Sequence, residues 1–184
     1  MKYTIDQKIL DNLPFIQIND LSLEENVFVN DWIKYLLYYA KNYNNSNEVG
    51  VILDITNWEN TDIVLGYEHH VKFNTDKMIK WLDEGNDNLI IIHNHPSNNI
   101  FSEKDLLNFC MTQSINTMIV AGNKGTIYLV QKLNGYNKFK VIMNYFTAKK
   151  LNNKNIPANK FLESILSSNQ AALKIKFKKE EIKC

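Results

Sequence analysis

The segment that decides the fold is LIIIHNHP, residues 89–96. Its four apolar residues predict a buried strand, and the proline after the second histidine ends that strand. Because successive side chains of a strand point to opposite faces, His93 and His95 point to the same face. Asp105 follows ten residues after His95, in the first turn of the next predicted helix, from which its carboxylate can return to that face. Two imidazoles and one carboxylate supply three protein ligands for zinc and leave the fourth position open for water, as in catalytic zinc sites.

Composition indicates an ordinary soluble globular protein with one domain, or one domain plus an appendage. The chain has 184 residues, of which 45% are hydrophobic and 22% are charged, and its formal net charge is +1. It contains no arginine, so the planar side chain that reads phosphates and guanine bases is absent. This balance disfavours a general attraction to nucleic acid or to anionic membranes.

The cysteines and the start of the chain indicate a reducing compartment. Cys110 and Cys184 form neither a CxxC pair nor a disulfide framework, and we expect Cys110 in a buried helix position and Cys184 exposed. The first residues lack the apolar core of a signal peptide, and no apolar run approaches the ~20 residues that span a bilayer. We therefore expect a cytoplasmic protein without membrane association. The sequence leaves its oligomeric state open.

Hydrophobic periodicity around the histidine segment predicts alternating helices and strands. Helical spacing and capping residues predict helices over 23–43, from Asn74 or Thr75 to about Gly85, over 102–114, and over most of the chain from Phe139, with a break around 152–157. β-Branched runs predict strands over 48–56, 61–66, 70–73, 88–95, 117–121 and 126–130. Over 174–183 a solvated amphipathic helix is favoured over a site for an anionic partner. The whole pattern is that of an α/β fold, with a mixed sheet covered by helices.

The pattern His-x-His-Pro followed by Ser-x-x-Asp resembles the JAMM (MPN+, JAB) zinc metallopeptidase family. Residues 93–96 and 102–105 form this pattern here. The sequence His-Asn-His-Pro-Ser at 93–97 looks most like the bacterial RadC-like and phage- or toxin-associated branch. The resemblance implies a three-layer, cytidine-deaminase-like α/β fold with a mixed sheet flanked by helices. It covers roughly residues 46–132 and leaves the flanks unassigned. We expect an N-terminal helical lead-in over 1–45 packed on the core, a catalytic core over 46–135 and a C-terminal helical extension over 136–184.

The chain departs from the family pattern in two respects. The gap between Pro96 and Ser102 is about one residue shorter than in the commonest pattern. A loop can absorb this difference, which bears on the subfamily more than on the metal. Residues 1–45 also lack the glycine-rich DNA-binding hairpin that RadC-like proteins usually carry. The match is therefore to the catalytic domain.

The family also places a glutamate at the edge of an upstream strand, and Glu48, in the sequence Glu-Val-Gly, fits that place. In such a site Glu48 would act as general base and acid, and zinc would lower the pKa of a bound water to about 7. Ser102 would donate a hydrogen bond to the developing oxyanion. The implied reaction is hydrolysis of a peptide bond, or of an isopeptide bond to a ubiquitin-like protein.

Each of these assignments has a structural alternative. The two histidines could be ordinary strand residues near a turn. Ser102 and Asp105 match a helix capping box, a role that is compatible with catalysis. Glu48 could be a solvated charge at a strand edge, with Glu59 and Glu68 as competitors for its role.

Further polar and aromatic residues raise separate questions. The run Glu68-His69-His70 suggests a second metal site, but adjacent residues on a strand face opposite ways. Asn94 should point away from the two histidines and serve the structure. Trp58 and Tyr67 either line a substrate groove or cover the sheet edge.

Three classes of function follow from these residues. The first is a zinc-dependent peptidase or isopeptidase that acts on a protein or peptide, with a ubiquitin-like protein as one candidate. The second is a non-catalytic MPN-type scaffold, although such domains usually lack ligands that this chain keeps. The third is a RadC-like nucleic-acid-associated protein, which the near-neutral charge and the absence of arginine disfavour. The first class is the function that we expect.

Overall fold

The chain folds around one mixed β-sheet with helices on both of its faces. The computed structural model describes residues 2–84, 88–151 and 156–182. Within those residues it contains seven helices and seven strands. The predicted α/β fold, with a mixed sheet covered by helices, is confirmed.

Helices and strands are interspersed along the chain. The helices are α1 (Gln7–Asp11), α2 (Leu23–Tyr43), α3 (Asp76–Asp83), α4 (Glu103–Met111), α5 (Lys138–Leu151), α6 (Ala158–Ser168) and α7 (Gln170–Leu173). The strands are β1 (Val49–Asp54), β2 (Glu59–Asn60), β3 (Val64–Leu65), β4 (Leu89–His95), β5 (Ile115–Gly122), β6 (Ile127–Lys132) and β7 (Ile175–Glu180). The helix predicted over 23–43 coincides with α2, and the predicted histidine strand coincides with β4 apart from its first residue.

The sheet topology places β1 beside the histidine-bearing strand. The strand order is β2-β1-β4-β5-β6-β7, and β3 also pairs with β1. Strands β4 and β5 are parallel, whereas the other pairs are antiparallel. The β1–β4 ladder pairs Gly50 with His93 and Asp54 with Leu89. Because the two strands run antiparallel, extending this register by two residues places Glu48 opposite His95.

Each face of the sheet has its own hydrophobic core. On one face, Ile91 and Met118 pack with apolar residues of α3, α4, α5 and α6. On the other face, Ile92 and Ile119 pack with apolar residues of α1 and α2. Full burial of such a side chain stabilises the fold by about 1.5–3 kcal/mol, so both cores hold β4 in place. His93 and His95 lie two and four residues after Ile91, so all three side chains point to the same face of β4. This is the face that α3 and α4 cover.

Helix α2 begins with a capping box and then buries an aliphatic stripe. The Ser22 hydroxyl accepts from the Glu25 N–H at 3.2 Å, and the Ser22 N–H donates to the Glu25 carboxylate at 2.6 Å. These two bonds satisfy amides that the first turn of a helix leaves unpaired. The buried stripe consists of Val29, Ile33, Leu36, Leu37 and Ala40.

The C-terminal segment differs from its prediction. The sequence predicts a solvated helix over 174–183, but residues 175–180 form β7, which pairs antiparallel with β6. Ile175 and Phe177 are buried whereas the lysines that follow them are not, and this period of two is that of a strand. The helical prediction is therefore wrong over this segment. The C-terminal extension predicted over 136–184 is not wholly helical, because it also adds an edge strand to the sheet.

Residues 70–73 form a loop rather than the predicted strand. The Tyr67 N–H donates to the His70 carbonyl at 2.9 Å, so the chain turns back on itself at this point. Gly66 lies against the same carbonyl, and a Cβ at Gly66 would come within 2.3 Å of it. The strand predicted over 61–66 is shortened to the two residues of β3.

Three predictions fall partly or wholly outside the described residues. They concern the end of the third helix at Gly85, the helix break around 152–157, of which residues 152–155 are not described, and the exposure of Cys184. Cys110 is described and is buried in α4, as predicted. Across the described ranges, no helix has the length and apolar character needed to cross a membrane.

Candidate metal centre and its cleft

Strand β4 brings both histidines to one point near its carboxyl end. The Nε2 atoms of His93 and His95 lie 3.2 Å apart. Both side chains are buried, with 3% and 8% of their surface exposed. The alternation of side chains along β4 therefore produces the convergence that the sequence predicts.

Helix α4 returns Asp105 to the two histidines. The Ser102 N–H donates to Asp105 Oδ2 at 2.7 Å, and the Asp105 N–H donates to Ser102 Oγ at 3.1 Å, which forms the predicted capping box. The same Oδ2 lies 3.3 Å from His95 Nε2 and 3.7 Å from His93 Nε2. Among the described residues, these three side chains form the group that could hold a metal ion. We call them the metal triad.

The ring of His95 is oriented by two backbone carbonyls. Its Nδ1 lies 3.0 Å from the carbonyl oxygen of Asn99 and 3.1 Å from that of Ile100. Because a carbonyl only accepts, Nδ1 carries a proton and Nε2 is the nitrogen that faces the triad. Such a second contact is usual for metal-binding histidines. His93 differs, since its buried Nδ1 has no hydrogen-bond partner among the described residues.

The electrostatics of the triad favour a bound cation. Burial lowers the pKa of His93, which disfavours its protonated form. Burial also opposes protonation of His95, but the hydrogen bond and the charge of Asp105 outweigh it and raise the pKa. Burial would raise the pKa of Asp105, yet the two histidines outweigh it and hold that pKa well below its usual range. Asp105 is therefore ionised at neutral pH and faces two imidazole nitrogens.

Glu48 lies beside the triad, directly before β1. It is buried, with 6% of its surface exposed. Its N–H donates to the Tyr67 carbonyl at 3.0 Å, and its carbonyl accepts from the Gly66 N–H at 2.8 Å. Burial raises the pKa of Glu48 to about 7, while His95 lowers it and Asp105 raises it further. A carboxyl group that titrates near neutral pH can both accept and return a proton.

Ser102 lies exposed at the rim of the triad. Its hydroxyl oxygen accepts a hydrogen bond from the Asp105 N–H, so the predicted capping role is present. A hydroxyl has one hydrogen to donate in addition to its lone pairs. The cap therefore leaves the Ser102 hydrogen free to donate to a ligand in front of the triad.

A cleft of about 730 Å³ contains the triad, Glu48 and Ser102 in its wall. Apolar side chains from several elements complete the lining. They include Phe73, Leu82, Phe101 and Leu162. Ligand sites commonly combine a mostly apolar lining with a few polar groups that point to one place. The site therefore has room for part of a substrate next to the triad.

The competing glutamates do not reach the triad. Glu59 lies in β2, is exposed and pairs with Lys77 at 3.6 Å. Glu68 is exposed and pairs with His69 at 3.8 Å. Of the three glutamates that the sequence offers, Glu48 is the one that lies in the wall of the cleft.

The remaining aromatic and histidine candidates lie at the margin of the site. His69 and His70 line the cleft but do not belong to the metal-compatible group. Trp58 packs edge-on against Phe28 at 5.3 Å between ring centroids. Tyr67 packs against His70 at 5.2 Å. Neither Trp58 nor Tyr67 lines the cleft, so the structure gives no support to the substrate-groove role at this site.

Several contributors to the site were not predicted. The carbonyls of Asn99 and Ile100 that orient His95 carry no side-chain signal, although a metal-binding histidine generally requires such an acceptor. Phe73 packs edge-on against His93 at 6.3 Å between centroids. Gly50 permits this contact, because a Cβ at that position would come within 2.4 Å of the Phe73 ring. The glycine is visible in the sequence, but the ring that requires it comes from a distant loop.

No protein-family model, curated protein or solved structure shows significant similarity to this chain. Its function must therefore be inferred from the geometry of the site.

Proposed function

We propose that this protein is a zinc-dependent hydrolase of peptide or isopeptide bonds, of the JAMM type. One observation carries the proposal. The metal triad converges beside a buried glutamate whose pKa is about 7, and both lie in the wall of one open cleft. A metal-binding group that serves structure alone would need neither the glutamate nor the cleft.

The donor atoms of the triad suit zinc. Two imidazole nitrogens and a carboxylate oxygen are ligands that this borderline-soft ion accepts. In tetrahedral zinc sites, bonds of about 2.0–2.1 Å place neighbouring ligand atoms roughly 3.3–3.4 Å apart. The distances among His93 Nε2, His95 Nε2 and Asp105 Oδ2 are 3.2, 3.3 and 3.7 Å. The residues present therefore fit the ion, with three ligands and one open position.

Each residue of the site has a distinct task in this proposal. A bound zinc ion would polarise the substrate carbonyl and lower the pKa of water at the open position. Glu48 accepts the proton that the attacking water loses and returns it to the nitrogen of the departing amine. Ser102 donates its hydroxyl hydrogen to the oxygen of the attacked carbonyl, where negative charge develops.

The proposed substrate is a protein or peptide. The cleft extends from the triad along apolar side chains, which suits a segment of polypeptide better than a small polar metabolite. A ubiquitin-like protein joined to a lysine is one such substrate, and a linear peptide is the other. The near-neutral net charge of +1 gives no reason to prefer a nucleic acid.

The proposal is tested by assaying amide hydrolysis with and without a chelator. Suitable substrates are ubiquitin-like fusions, isopeptide adducts and fluorescein-labelled casein. Chelation, Glu48→Gln and His95→Ala should each abolish cleavage, whereas Glu59→Gln, which alters an exposed glutamate outside the cleft, should not. Cleavage that survives Glu48→Gln or His95→Ala would contradict the proposal, as would a wild-type protein that cleaves none of the substrates after loading with zinc.

A further inference from the structure

We propose that Asn94 is a positioning residue that holds Glu48 beside the metal triad. The inference rests on the proposed function, which gives Glu48 its catalytic role. Asn94 lies on β4 between the two histidine ligands, and its side chain is fully buried at 0% exposure. Because strand side chains alternate, it points to the face opposite the triad and makes no contact with a ligand in the cleft.

The Asn94 amide bonds both peptide groups that flank Glu48. Its Oδ1 accepts from the Val49 N–H at 2.7 Å, and its Nδ2 donates to the Asn47 carbonyl at 3.2 Å. Since an N–H only donates and a carbonyl only accepts, these partners fix which way the amide is turned. One side chain therefore forms hydrogen bonds to the backbone immediately before and immediately after the proposed base.

The Asn94 side chain bonds the Glu48 segment just beyond the end of the backbone hydrogen-bond ladder. The last pair of the β1–β4 ladder is Gly50 with His93, two residues short of Glu48. Beyond that pair, the Asn94 side chain provides the hydrogen bonds that join the Glu48 segment to β4. Three consecutive residues of β4 thus supply a metal ligand, the anchor of the base and a second metal ligand.

A second buried asparagine, Asn123, holds the Asn94 side chain in place through a hydrogen bond. Asn94 Nδ2 also donates to Asn123 Oδ1 at 2.8 Å, and Asn123 Nδ2 donates to the carbonyls of Tyr3 at 2.7 Å and Ser46 at 2.8 Å. The Asn123 N–H donates to the His95 carbonyl at 3.1 Å. Because rotation of either amide would leave buried polar groups unpaired, the network holds one arrangement.

Loss of the Asn94 amide should therefore affect catalysis more than binding. A displacement of a catalytic group by about 1 Å can reduce a rate on the order of 10²-fold. The metal ligands and the lining of the cleft keep their own contacts in such a variant. We expect Asn94→Ala to lower kcat by roughly 10²-fold and to leave both KM and the zinc content of the protein little changed.

The experiment compares Asn94→Ala with Asn26→Ala. Asn26 is a matched control because it is also buried, at 2% exposure, and its side chain bonds the backbone of Ile18, Leu21 and Ser22, far from Glu48 in the sequence. Both variants are purified with zinc, and kcat and KM are measured on the substrate that the wild-type protein cleaves. Hydrogen exchange at the Val49 amide is measured in parallel by NMR, because this readout does not require activity.

The proposal expects the loss of kcat in Asn94→Ala alone, together with exchange at Val49 that is faster by roughly tenfold. An unchanged kcat in folded Asn94→Ala, an equal loss in Asn26→Ala, or unchanged exchange at Val49 would overturn it. Should Asn94→Ala fail to fold, Asn94→Ser takes its place, with the same expected direction. If the zinc-loaded wild type cleaves nothing, the proposed function fails first and the catalytic part of this inference falls with it. The exchange measurement then still decides whether Asn94 holds the Glu48 segment.

Discussion

Replacing Glu48 with glutamine should stabilise the metal-free protein at alkaline pH. Burial raises the pKa of Glu48 from 4.5 to about 7, so the folded state holds its proton more tightly than the unfolded state. As pH rises above 4.5, the unfolded chain releases that proton first, and the free energy of unfolding falls until pH passes 7. The carboxylate then costs the fold about 3 kcal/mol, since each pKa unit corresponds to ~1.4 kcal/mol. Glutamine keeps the shape of the side chain without its charge.

The assay is urea unfolding of chelator-treated wild type and Glu48→Gln at several pH values. The free energy of unfolding of Glu48→Gln, relative to that of the wild type, should rise by roughly 2.5 kcal/mol between about pH 5 and about pH 8. Most of the destabilisation by the Glu48 carboxylate develops in that window. Glu59→Gln serves as the control for the chemical change, since Glu59 is exposed and lies outside the cleft. A constant difference between wild type and Glu48→Gln across the same window would refute the burial of an ionisable carboxyl at this position.

Two further predictions concern the rim of the cleft and the C-terminal strand. Ser102→Ala should lower the hydrolysis rate on the order of 10²–10³-fold and destabilise the protein by about 1 kcal/mol. Ser22→Ala, which removes the matching cap of α2, should give the same loss of stability with an unchanged rate; equal rates for the two variants would exclude the oxyanion role. Phe177→Ala should destabilise the protein by about 3–5 kcal/mol in urea unfolding, because Phe177 is buried in the core between the sheet and helices α3 to α6. Lys176→Ala should change the free energy of unfolding by no more than about 0.5 kcal/mol. A small and equal effect of both substitutions would contradict the assignment of β7.

The metal triad was predictable because it depends on local geometry. Alternation along β4 aligns His93 with His95, and a capping box fixes the angle at which Asp105 leaves α4. Both features are decided by residues close in the sequence. The same holds for α2, whose cap and aliphatic stripe are contiguous.

The features of the fold and of the site that the sequence did not predict depend on contacts between distant segments. Strand β7 carries the lysines and glutamate of a solvated helix, and it becomes a strand because β6 offers an edge for pairing. The loop at 70–73 has β-branched and aromatic residues, but the bond between Tyr67 and His70 turns the backbone away from a ladder. The environment of Glu48 depends on Asn94 across the sheet. The alternation of Ile175 and Phe177 with lysines is visible in the sequence, but the partner of each of these segments is set by tertiary structure.

The most direct test of the central claim is a zinc titration of the chelator-treated protein by isothermal calorimetry. The wild type should bind about one zinc ion per chain, since its triad offers three ligands at tetrahedral spacing. His95→Ala should lose this binding, whereas His70→Ala, which alters a histidine of the same cleft outside the triad, should retain it. A wild type that takes up no zinc, or a His95→Ala variant that binds it equally well, would contradict the account.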